Sequence, residues 1–440
     1  MTSSDKSKAF GSGCVPREGE ASGGIGGRLR ERFEDFLVEE LPLYEPSGEG
    51  EHVYLFVEKR GMATLEMVRL IARHFGVRPR DVGYAGLKDK RAITRQMLSV
   101  WMPGRTIEDV PSLDDDRVAI LWADRHTNKL RRGHLKGNRF SIRVREVPIH
   151  AVVSAQRTLT RLGREGLPNR FGEQRFGYLG NNHLVGRAIV LGRWEEALAH
   201  LLGPNAEHPD AQAEGRRLFQ IERFAEAKGE FHSSLRTERT VLDALSQGAS
   251  AEEALRRMER SAMSFYVTAF QSAIFNRVLT QREETGTLGS LIEGDLAFMH
   301  ASRASFVVGE AELADPEMAG RLGRFEVSPS GPMWGTTMRR ASGEVARTEL
   351  EALHAAGVDE AALARFAEVG GDIQGDRRPL RVPVIDPEVE GGADEHGPFV
   401  RCAFELPRGC FATSVMREIM GTEQLDERSE NAVFTTEDTE

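Results

Sequence analysis

The pattern of hydrophobic and polar positions predicts strands towards both ends of the chain and helices in the middle. Residues 33–40 and 52–58 alternate apolar and polar side chains, which is typical of half-buried strands. Apolar residues recur at helical spacing after Thr64, which fits an N-cap, and Gly76 predicts the end of that helix. The same reasoning predicts strands at 81–85, 94–101, 138–147, 380–384 and 400–406.

The middle of the chain has a different pattern. Helices are predicted at 193–202, 251–284 and 345–367, and residues 203–229 fit either an extended loop or short helices. Ser250 and Glu253 form a predicted capping box at the start of the second helix. Strand-like runs return near residue 294, and no repeat of fixed period occurs. The chain is therefore predicted to be α+β, with a mixed sheet domain whose two halves flank a largely helical insertion.

Composition excludes several classes of protein. No run of about 18 consecutive apolar residues occurs, which excludes a membrane-spanning helix. The N-terminus lacks the apolar core of a secretory signal. Cys14, Cys402 and Cys410 form no CxxC pair, which argues against a disulfide framework or a zinc cluster. These features predict a cytoplasmic protein without a membrane partner.

Charge is unevenly distributed along the chain. The formal net charge is −10, but residues 423–440 carry seven acids and one Arg, whereas residues 76–145 carry sixteen Lys and Arg against eight acids. Residues 125–145 contain eight basic residues and no carboxylate. This run predicts contact with nucleic-acid phosphates, although a solvated loop and strand is the alternative. The candidate contacts are Lys129, Arg131, Arg132 and Lys136.

The loop after the strand at 81–85 carries the densest chemical signal. Asp89 lies between Lys88 and Lys90, and opposite charges within reach favour the ionised carboxylate. An ionised Asp89 suits a nucleophile or an anionic stabiliser better than a general acid. The alternative is that Asp89 only neutralises a basic loop. The loop lacks the GxxxxGK[ST] spacing of a phosphate-binding loop, so no nucleotide cofactor is predicted.

Aromatic and amide side chains accompany this loop. Asn138 and Phe140 lie within the basic run, and Phe411 follows the strand at 400–406. An unstacked base is bound by a stacking ring and by an amide on its Watson–Crick edge, which these residues can supply. The alternative for each Phe is packing in the core.

Taken together, the motifs resemble those of the TruD family of tRNA pseudouridine synthases. The most specific is Gly86–Gln96 (GLKDKRAITRQ), which matches the family's G-x-K-D-x-x-A-x-T-x-Q signature. Five further elements follow the family order: 35–40 (DFLVEE), 137–140 (GNRF), 168–177 (PNRFGEQRFG), 272–276 (SAIFN) and 411–414 (FATS). The resemblance covers nearly the whole chain.

The resemblance implies a catalytic domain with a mixed, mainly antiparallel sheet, interrupted by an α/β insertion domain. The implied boundaries are catalytic halves at 29–168 and 346–422 and the insertion at 169–345. Composition, not the resemblance, predicts a flexible leader at 1–28, which is rich in Gly and Ser without an apolar period, and a disordered acidic tail at 423–440. It further implies isomerisation of a uridine in tRNA, at position 13, without a cofactor or a required metal. Asp89 would be the catalytic aspartate, Phe36, Asn138 and Phe411 would contact the nucleotide, and Phe140 would stack on its base.

Several alternatives remain open from the sequence. Lys88 and Arg175 are candidates for a supporting or RNA-binding role, and for Arg170 and Arg175 a structural ion pair is equally consistent. A noncatalytic protein that binds or folds RNA through the same basic region is the main rival function. Compared with shorter members of the family, the leader, the 203–228 stretch and the tail look like additions. Residues 377–382 resemble the form found in a longer branch of the family. Structured RNAs other than tRNA therefore stay open as alternative substrates. The oligomeric state and the order of domain closure are not predicted.

Overall fold

The chain forms two compact units. The computed structural model describes residues 24–105 and 112–421. Within these ranges, residues 24–167 and 382–421 form one unit, called the sheet unit, and residues 168–381 form the other, called the inserted unit. The inserted unit starts next to the predicted boundary at 169 but ends at 381 instead of 345. The extension arises because Leu353, Leu363 and their neighbours pack in the core of the inserted unit.

Eight strands and three helices make up most of the sheet unit. The strands are β1 (Phe36–Pro42), β2 (His52–Arg60), β3 (Val82–Tyr84), β4 (Ile93–Trp101), β5 (Val118–His126), β6 (Leu135–Arg145), β13 (Ile385–Asp394) and β14 (Gly397–Pro407). The helices are α1 (Thr64–Phe75), α2 (Val152–Glu165) and α14 (Ala412–Met420). Most predicted strands in this unit are thereby confirmed to within a few residues, while β5 and β13 were not predicted.

These strands form one twisted mixed sheet. Their order is β13-β14-β6-β1-β4-β2-β5, and β3 pairs with β4. β1 and β4 run parallel, whereas every other pair in this described sheet is antiparallel. The α+β class with a mixed, mainly antiparallel sheet is confirmed. Because β14 lies beside β6, the two sequence halves of the sheet unit complete a single sheet.

Alternation along the strands places one side of the sheet in the core. Val53, Leu55 and Val57 of β2 pack with Val68 and Ile71 of α1. On the other half of the sheet, side chains of β1, β6 and β14 pack with Leu159 of α2 and Val415 of α14. The helices therefore cover one face, which is called the covered face, and the remaining side chains of each strand lie on the open face.

Two local predictions need correction. The helix begins at Thr64, with Ala63 rather than Thr64 at the N-cap, because the Thr64 hydroxyl bonds to groups outside the helix. Gly76 ends it with a φ of 65°, as predicted. Residues 24–28 were predicted to be flexible, but the Ile25 amide donates to the Ile419 carbonyl at 3.0 Å and Arg28 exchanges hydrogen bonds with Arg145. The rest of the leader and the tail at 423–440 lie outside the described residues.

The inserted unit is mostly helical. Its helices are α3 (Asn182–Val190), α4 (Trp194–Leu202), α5 (Ala213–Gln220), α6 (Phe224–Glu230), α7 (Arg236–Ser246), α8 (Ala251–Arg256), α9 (Arg260–Glu284), α10 (Glu310–Ala314), α11 (Pro316–Gly323), α12 (Gly343–Ala355) and α13 (Glu360–Glu368). Four strands, β8 (Leu296–Met299), β9 (Ser305–Val307), β10 (Val327–Met333) and β11 (Asp376–Pro379), form a sheet in the order β11-β10-β8-β9. Two short strands lie at the points where the chain enters and leaves the unit: β7 (Leu167–Pro168) and β12 (Arg381–Val382).

The core of the inserted unit surrounds α9. Phe270, Ile274 and Phe275 of this helix are fully buried in it. The predicted capping box is confirmed, because the Ser250 hydroxyl accepts from the Glu253 amide and the Glu253 carboxylate accepts from the Ser250 amide. The sequence left either an extended loop or short helices for residues 203–229, and the structure has the short helices α5 and α6 there. Among the described residues, no helix has both the length and the apolar character needed to cross a membrane.

Candidate active site

Asp89 lies on the loop before β4, where the half of the sheet that packs on α1 meets the half that packs on α2 and α14. The loop, residues 86–91, leads directly into β4, whose first residue Ile93 is in register with Leu37 at the start of β1. Because β1 and β4 are parallel, the loop lies at the same end of the sheet as Phe36. The Asp89 side chain is 46% exposed, so its carboxylate can contact a ligand.

Hydrogen bonds to buried groups hold the start of this loop. The Gln96 amide donates to the Gly86 carbonyl at 3.2 Å. The Thr64 hydroxyl accepts from the Lys88 amide at 2.9 Å and donates to Gln96 Oε1 at 3.1 Å. Thr64 and Gln96 are both buried, so these contacts attach the loop to α1 and β4. The backbone of the loop is therefore fixed by side chains from two neighbouring elements.

Lys88 makes a buried ion pair beneath the loop. Its Nζ donates to Glu40 Oε2 at 2.6 Å, and the two side chains are 5% and 1% exposed. The second carboxylate oxygen of Glu40 accepts from the Met97 amide at 3.2 Å. Lys88 was predicted to support the site or to bind RNA; this buried ion pair favours the supporting role.

Lys59 holds the backbone of Asp89 itself. This side chain is completely buried, and its Nζ donates to the Asp89 carbonyl at 2.9 Å and to the Met62 carbonyl at 2.6 Å. Sequence reasoning missed Lys59. A signal was available, because Val53, Leu55 and Val57 alternate towards the core and Lys59 is the next position on that face.

Arg30 connects Asp89 with a second predicted site residue. Its guanidinium lies 3.3 Å from Asp89 Oδ2 and 4.4 Å from the centre of the Phe36 ring. Arg30 has a φ of 59°, in the left-handed region that residues other than glycine seldom adopt. Arg30 was also missed, and no sequence pattern distinguishes it from the other arginines of this segment.

Asn138 and Phe140 lie next to β1 on the covered face. The β-sheet register places Asn138 opposite Glu40, and Phe140 opposite Val38 and Phe404. Phe140 is 6% exposed and packs against the Phe404 ring, with 5.6 Å between ring centres. Asn138 Oδ1 is buried without a hydrogen-bond partner among the described residues. A buried amide oxygen without a donor can accept a hydrogen bond from a ligand N–H.

Phe411 is the most exposed of the predicted aromatic residues. Its side chain is 52% exposed at the N-cap position of α14. β14 ends at Pro407, which is in register with Gly137 of β6, so the segment leading to Phe411 starts beside Asn138. The buried Phe36 and Phe140 and the exposed Phe411 thus belong to adjoining elements of the sheet unit.

The connection between β5 and β6, residues 127–134, packs against the strand that leads into the Asp89 loop. The Gly133 amide donates to the Ala85 carbonyl at 2.7 Å. The Leu130 amide donates to the Ser99 hydroxyl at 2.9 Å. Gly83 permits this approach, because a Cβ atom there would lie 2.4 Å from the Leu130 carbonyl oxygen. This connection carries Lys129, Arg131 and Arg132.

The cations of this connection lack carboxylate partners in the part of the chain that the structure describes. Lys129 Nζ donates to the Arg80 carbonyl at 2.5 Å, and Arg132 Nη2 donates to the Tyr84 hydroxyl at 3.0 Å. Arg131 and Lys136 are exposed, and no carboxylate of the described residues pairs with them. The predicted cationic surface is therefore present beside the loop of Asp89.

The arginines further along β6 behave differently. Arg145 is buried between Asp35 Oδ1 and Asp394 Oδ1, at 2.7 and 2.8 Å, and Arg143 lies 3.5 Å from Asp394. The hydrogen bond from Arg145 holds the pKa of Asp394 well below its usual range. The predicted alternation of 138–147 is confirmed, but its basic face is neutralised by acids from other parts of the sheet unit.

On the open face, a row of alternating negative and positive side chains crosses five strands, from Glu405 on β14 to Glu58 on β2. Arg139 Nε donates to Glu405 at 2.9 Å, and Arg95 donates to Glu39 and Glu58 at 3.2 and 2.8 Å. Arg139 also lies 3.9 Å from Glu39, which joins the two halves of the row. Hydrogen bonds to these carboxylates raise the pKa of both arginines. The row is called the charge ladder below.

Arg170 and Arg175 belong to the inserted unit. Arg170 is buried and pairs with Glu283, and its Nη1 donates to the Thr280 hydroxyl at 2.9 Å, which favours the structural alternative. The Arg175 guanidinium lies 5.4 and 5.3 Å from the rings of Phe171 and Phe265. Burial lowers its pKa, and no carboxylate of the described residues pairs with it.

Comparison with known proteins agrees with these observations. A sequence model of the family tRNA pseudouridine synthase D (TruD) matches residues 20–419. The tRNA pseudouridine synthase D of Geobacter sulfurreducens is 45% identical over 405 residues, covering 90% of this chain and 94% of that protein. Its counterpart in Geobacter metallireducens is 43% identical over 400 residues, covering 90% and 95%.

A solved structure shows the same fold. The crystal structure from Methanosarcina mazei assigned as tRNA pseudouridine synthase D (TruD) is 28% identical, has a TM-score of 0.80, and covers 97% of this chain and 100% of that chain. Fold and motifs thus define an RNA-modifying isomerase of the pseudouridine synthase class. The chain belongs to the TruD family of tRNA pseudouridine synthases.

Proposed function

We propose that this protein converts a uridine of tRNA to pseudouridine, with Asp89 as the catalytic carboxylate and without a cofactor. The observation that carries the proposal is an exposed carboxylate on a loop that buried side chains hold in place. A preorganised carboxylate suits a reaction at a single sugar carbon, because small misplacements of a reacting group reduce rates strongly. Family membership supplies the reaction class.

The reaction breaks the N1–C1′ bond of uridine and joins C5 of the same uracil to C1′. Asp89 can act in two ways. Its carboxylate attacks C1′ as the N1–C1′ bond breaks and is later displaced by C5, or it removes the 2′ proton as that bond breaks, giving a glycal whose C1′ bonds to C5 while a proton returns to C2′. In both routes the C5 proton is then lost and N1 gains a proton, so substrate and product are isomers. Both routes require the ionised form of Asp89 and a pocket that retains the free uracil while it turns.

Arg30 is the proposed partner of the reacting carboxylate. Its guanidinium lies 3.3 Å from Asp89 Oδ2 and 4.4 Å from the centre of the Phe36 ring, so it contacts both side chains at once. The same arginine therefore orients Asp89 relative to Phe36, one of the residues proposed to contact the nucleotide. Since both charged side chains are partly exposed, an entering nucleotide can reach the pair.

Asn138, Phe140 and Phe411 complete the proposed base site. Asn138 Oδ1, which has no hydrogen-bond partner in the part of the chain that the structure describes, suits the N3–H of uracil, a hydrogen-bond donor on the Watson–Crick edge. Phe140 and the exposed Phe411 offer rings for stacking or edge contact with the base. Taking a base out of its stack costs a few kcal/mol, which phosphate contacts elsewhere must offset.

Those phosphate contacts are proposed to come from Lys129, Arg131, Arg132 and Lys136 in the sheet unit. Arg175 is the proposed contact from the inserted unit, since its guanidinium lies against two rings and lacks a carboxylate partner among the described residues. Aromatic faces favour the planar guanidinium and leave its N–H edges for an anion. The proposed substrate is therefore a structured RNA rather than a free nucleotide.

The direct test incubates the purified protein with an unmodified tRNA transcript and quantifies pseudouridine by mass spectrometry. Asp89→Asn is expected to abolish the reaction while binding of the tRNA stays within about twofold. Asp81→Asn is the matched control, because Asp81 precedes β3 and pairs with Arg78 at 2.9 Å, away from the loop. Wild-type turnover by Asp89→Asn would disprove the assigned role.

The same assay separates the rival functions. A noncatalytic RNA-binding protein would bind the tRNA in a salt-dependent way and leave every uridine unchanged. Mapping pseudouridines in cellular RNA, with and without the active protein, then identifies the target. Position 13 of tRNA is the expected site, and modification of other structured RNAs instead would redefine the substrate and leave the chemistry intact.

A further inference from the structure

Lys59 is a lysine in a position built for an apolar side chain. It follows Val53, Leu55 and Val57 on the covered face of β2, and all four side chains are buried. Its neighbour in register on β4 is Thr94, which is also fully buried. Transfer of an ammonium group into such a site carries a large desolvation cost, whereas an apolar residue would continue the core.

The contacts of the ammonium lead to the proposed catalytic residue. Nζ donates to the carbonyl of Met62, in the turn after β2, and to the carbonyl of Asp89, at 2.6 and 2.9 Å. Hydrogen bonds from a charged donor are shorter and stronger than neutral ones, and low local polarity strengthens them further. Lys59 therefore joins the end of β2 to the residue of the loop that carries the carboxylate.

We propose that Lys59 is a positioning residue for the isomerisation, fixing the main chain of Asp89 while Arg30 fixes its carboxylate. This inference rests on the proposed role of Asp89. The two contacts hold different parts of one residue, since Lys59 bonds to the backbone oxygen and Arg30 lies 3.3 Å from Oδ2. With both in place, the carboxylate has a defined position before RNA binds, and no binding energy is spent on ordering it.

Other contacts allow this role to be separated from folding. The bonds to the Gly86 carbonyl and the Lys88 amide come from Gln96 and Thr64 and do not involve Lys59. Replacing Lys59 by the similarly sized Met keeps the packing of the covered face and leaves these bonds in place. The expected loss of order is therefore confined to the part of the loop between Asp89 and the start of β4.

The experiment compares Lys59→Met and Lys59→Gln with the wild-type protein and with Asp89→Asn. Single-turnover rates at saturating tRNA are expected to fall about 100-fold in Lys59→Met, because a displacement of about 1 Å can cost that much. The Kd for tRNA is expected to stay within about twofold. Lys59→Gln, which retains a donor of shorter reach, is expected to lie between Lys59→Met and wild type.

Arg60→Met is the matched control. Arg60 is the next residue of β2, its side chain is 47% exposed, and it pairs with Glu34 instead of the loop. Its substitution removes the same charge from the same strand and is expected to leave the single-turnover rate within about twofold. Amide hydrogen exchange is the second readout, with faster exchange expected at residues 89–92 in Lys59→Met and unchanged exchange in the rest of the sheet.

The outcomes are distinct. If Asp89→Asn is inactive but Lys59→Met reacts at the wild-type rate, the inference is overturned and the proposed function stands. If Asp89→Asn keeps the wild-type rate, the proposed function and the inference are both wrong. Failure of both Lys59 variants to fold, or a general rise in hydrogen exchange, would assign Lys59 to the core alone and also overturn the inference.

Discussion

The strand β6 and the connection that precedes it contain similar numbers of cations but use them in different ways. Arg139, Arg143 and Arg145 on β6 each face one or more carboxylates. Lys129 and Arg132 in the connection instead bond to a carbonyl and a hydroxyl, and Arg131 is exposed. Two neighbouring parts of one basic run thus serve stability and proposed RNA binding respectively.

This difference shows that charge must be counted among residues that are close in the fold, and not only among residues that are close in sequence. Along the sequence, residues 125–145 contain eight basic residues and no acid. In the folded sheet unit, however, Asp35 and Glu39 from the N-terminal side and Asp394 and Glu405 from the C-terminal side lie against β6. The acids neutralise Arg139, Arg143 and Arg145, whereas the cations of the connection and Lys136 at the start of β6 have no carboxylate partner among the described residues and offer charge to a phosphate.

The largest expected effect is a loss of stability on replacing Arg145, which pairs with acids beside β6. Arg145→Met leaves the buried Asp35 without its partner, and loss of one member of a buried pair costs roughly 3–5 kcal/mol. Urea unfolding is expected to show this loss as a lower midpoint. The salt dependence of tRNA binding should stay unchanged, and a changed dependence would contradict the division between strand and connection.

The second effect concerns the cations of the connection together with Lys136 at the start of β6. Replacing Lys129, Arg131, Arg132 and Lys136 by Gln together is expected to weaken tRNA binding and to lower the slope of log Kd against log salt by about 3, given about 0.7–0.9 per lost phosphate contact. Unfolding should change by less than about 0.5 kcal/mol per exposed site. An unchanged salt slope in filter binding would exclude these cations from the RNA surface.

A smaller effect is expected within the charge ladder. Arg139 is 54% exposed, so its interaction with Glu405 is expected to contribute only about 0.2–1 kcal/mol. A double-mutant cycle of Arg139→Gln and Glu405→Gln, followed by urea unfolding, measures this coupling directly. The coupling energy should become smaller as the salt concentration is raised. A coupling energy above about 2 kcal/mol would show that the charge ladder contributes to stability as buried ion pairs do.

The smallest expected effect is a pH dependence of stability at Asp394. Its pKa is lowered in the folded state, so the ionised carboxylate stabilises the fold above its unfolded pKa, and this contribution is lost as pH falls through the folded value. As pH falls below 3.8, the difference between the unfolding midpoints of wild type and Arg145→Met should therefore become smaller. A constant difference between them from pH 7 to pH 2 would contradict this assignment.

The sequence predicted much of the fold because runs of apolar residues mark the strands of the sheet unit. β6 buries alternate side chains, and its alternation is visible without a structure, whereas β2 and β4 each contain a run of consecutive buried residues. β13 was missed because most of its side chains are exposed and it contains Pro387, Gly391 and Gly392, which are unusual in strands. β5 was missed because its apolar residues do not alternate at this edge of the sheet.

The candidate site was predicted in part. Asp89 and its basic loop are visible as a motif, since they are contiguous in sequence. Lys59 can be recognised from the sequence as a lysine on the buried face of a strand, but its contact with the loop, like that of Arg30, appears only in the fold, because the two residues lie 30 and 59 residues away from Asp89. The burial of Lys88 was likewise unpredictable from the loop, because its partner Glu40 is on another strand. Partners of this kind depend on strand register, which no local pattern specifies.

The interruption of the sheet unit also dictates the order in which it can form. Domains fold largely from the N-terminus during synthesis. β6 emerges early, but its neighbour β14 and the Asp394 partner of Arg145 follow only after residues 168–381 have been made. Until then the growing chain exposes the unpaired edge of β6, whose N–H and C=O groups can pair with strands of other chains. A chain that ends before β14 would keep this edge of β6 unpaired, so synthesis of the last strands closes an edge at which the chain could otherwise aggregate.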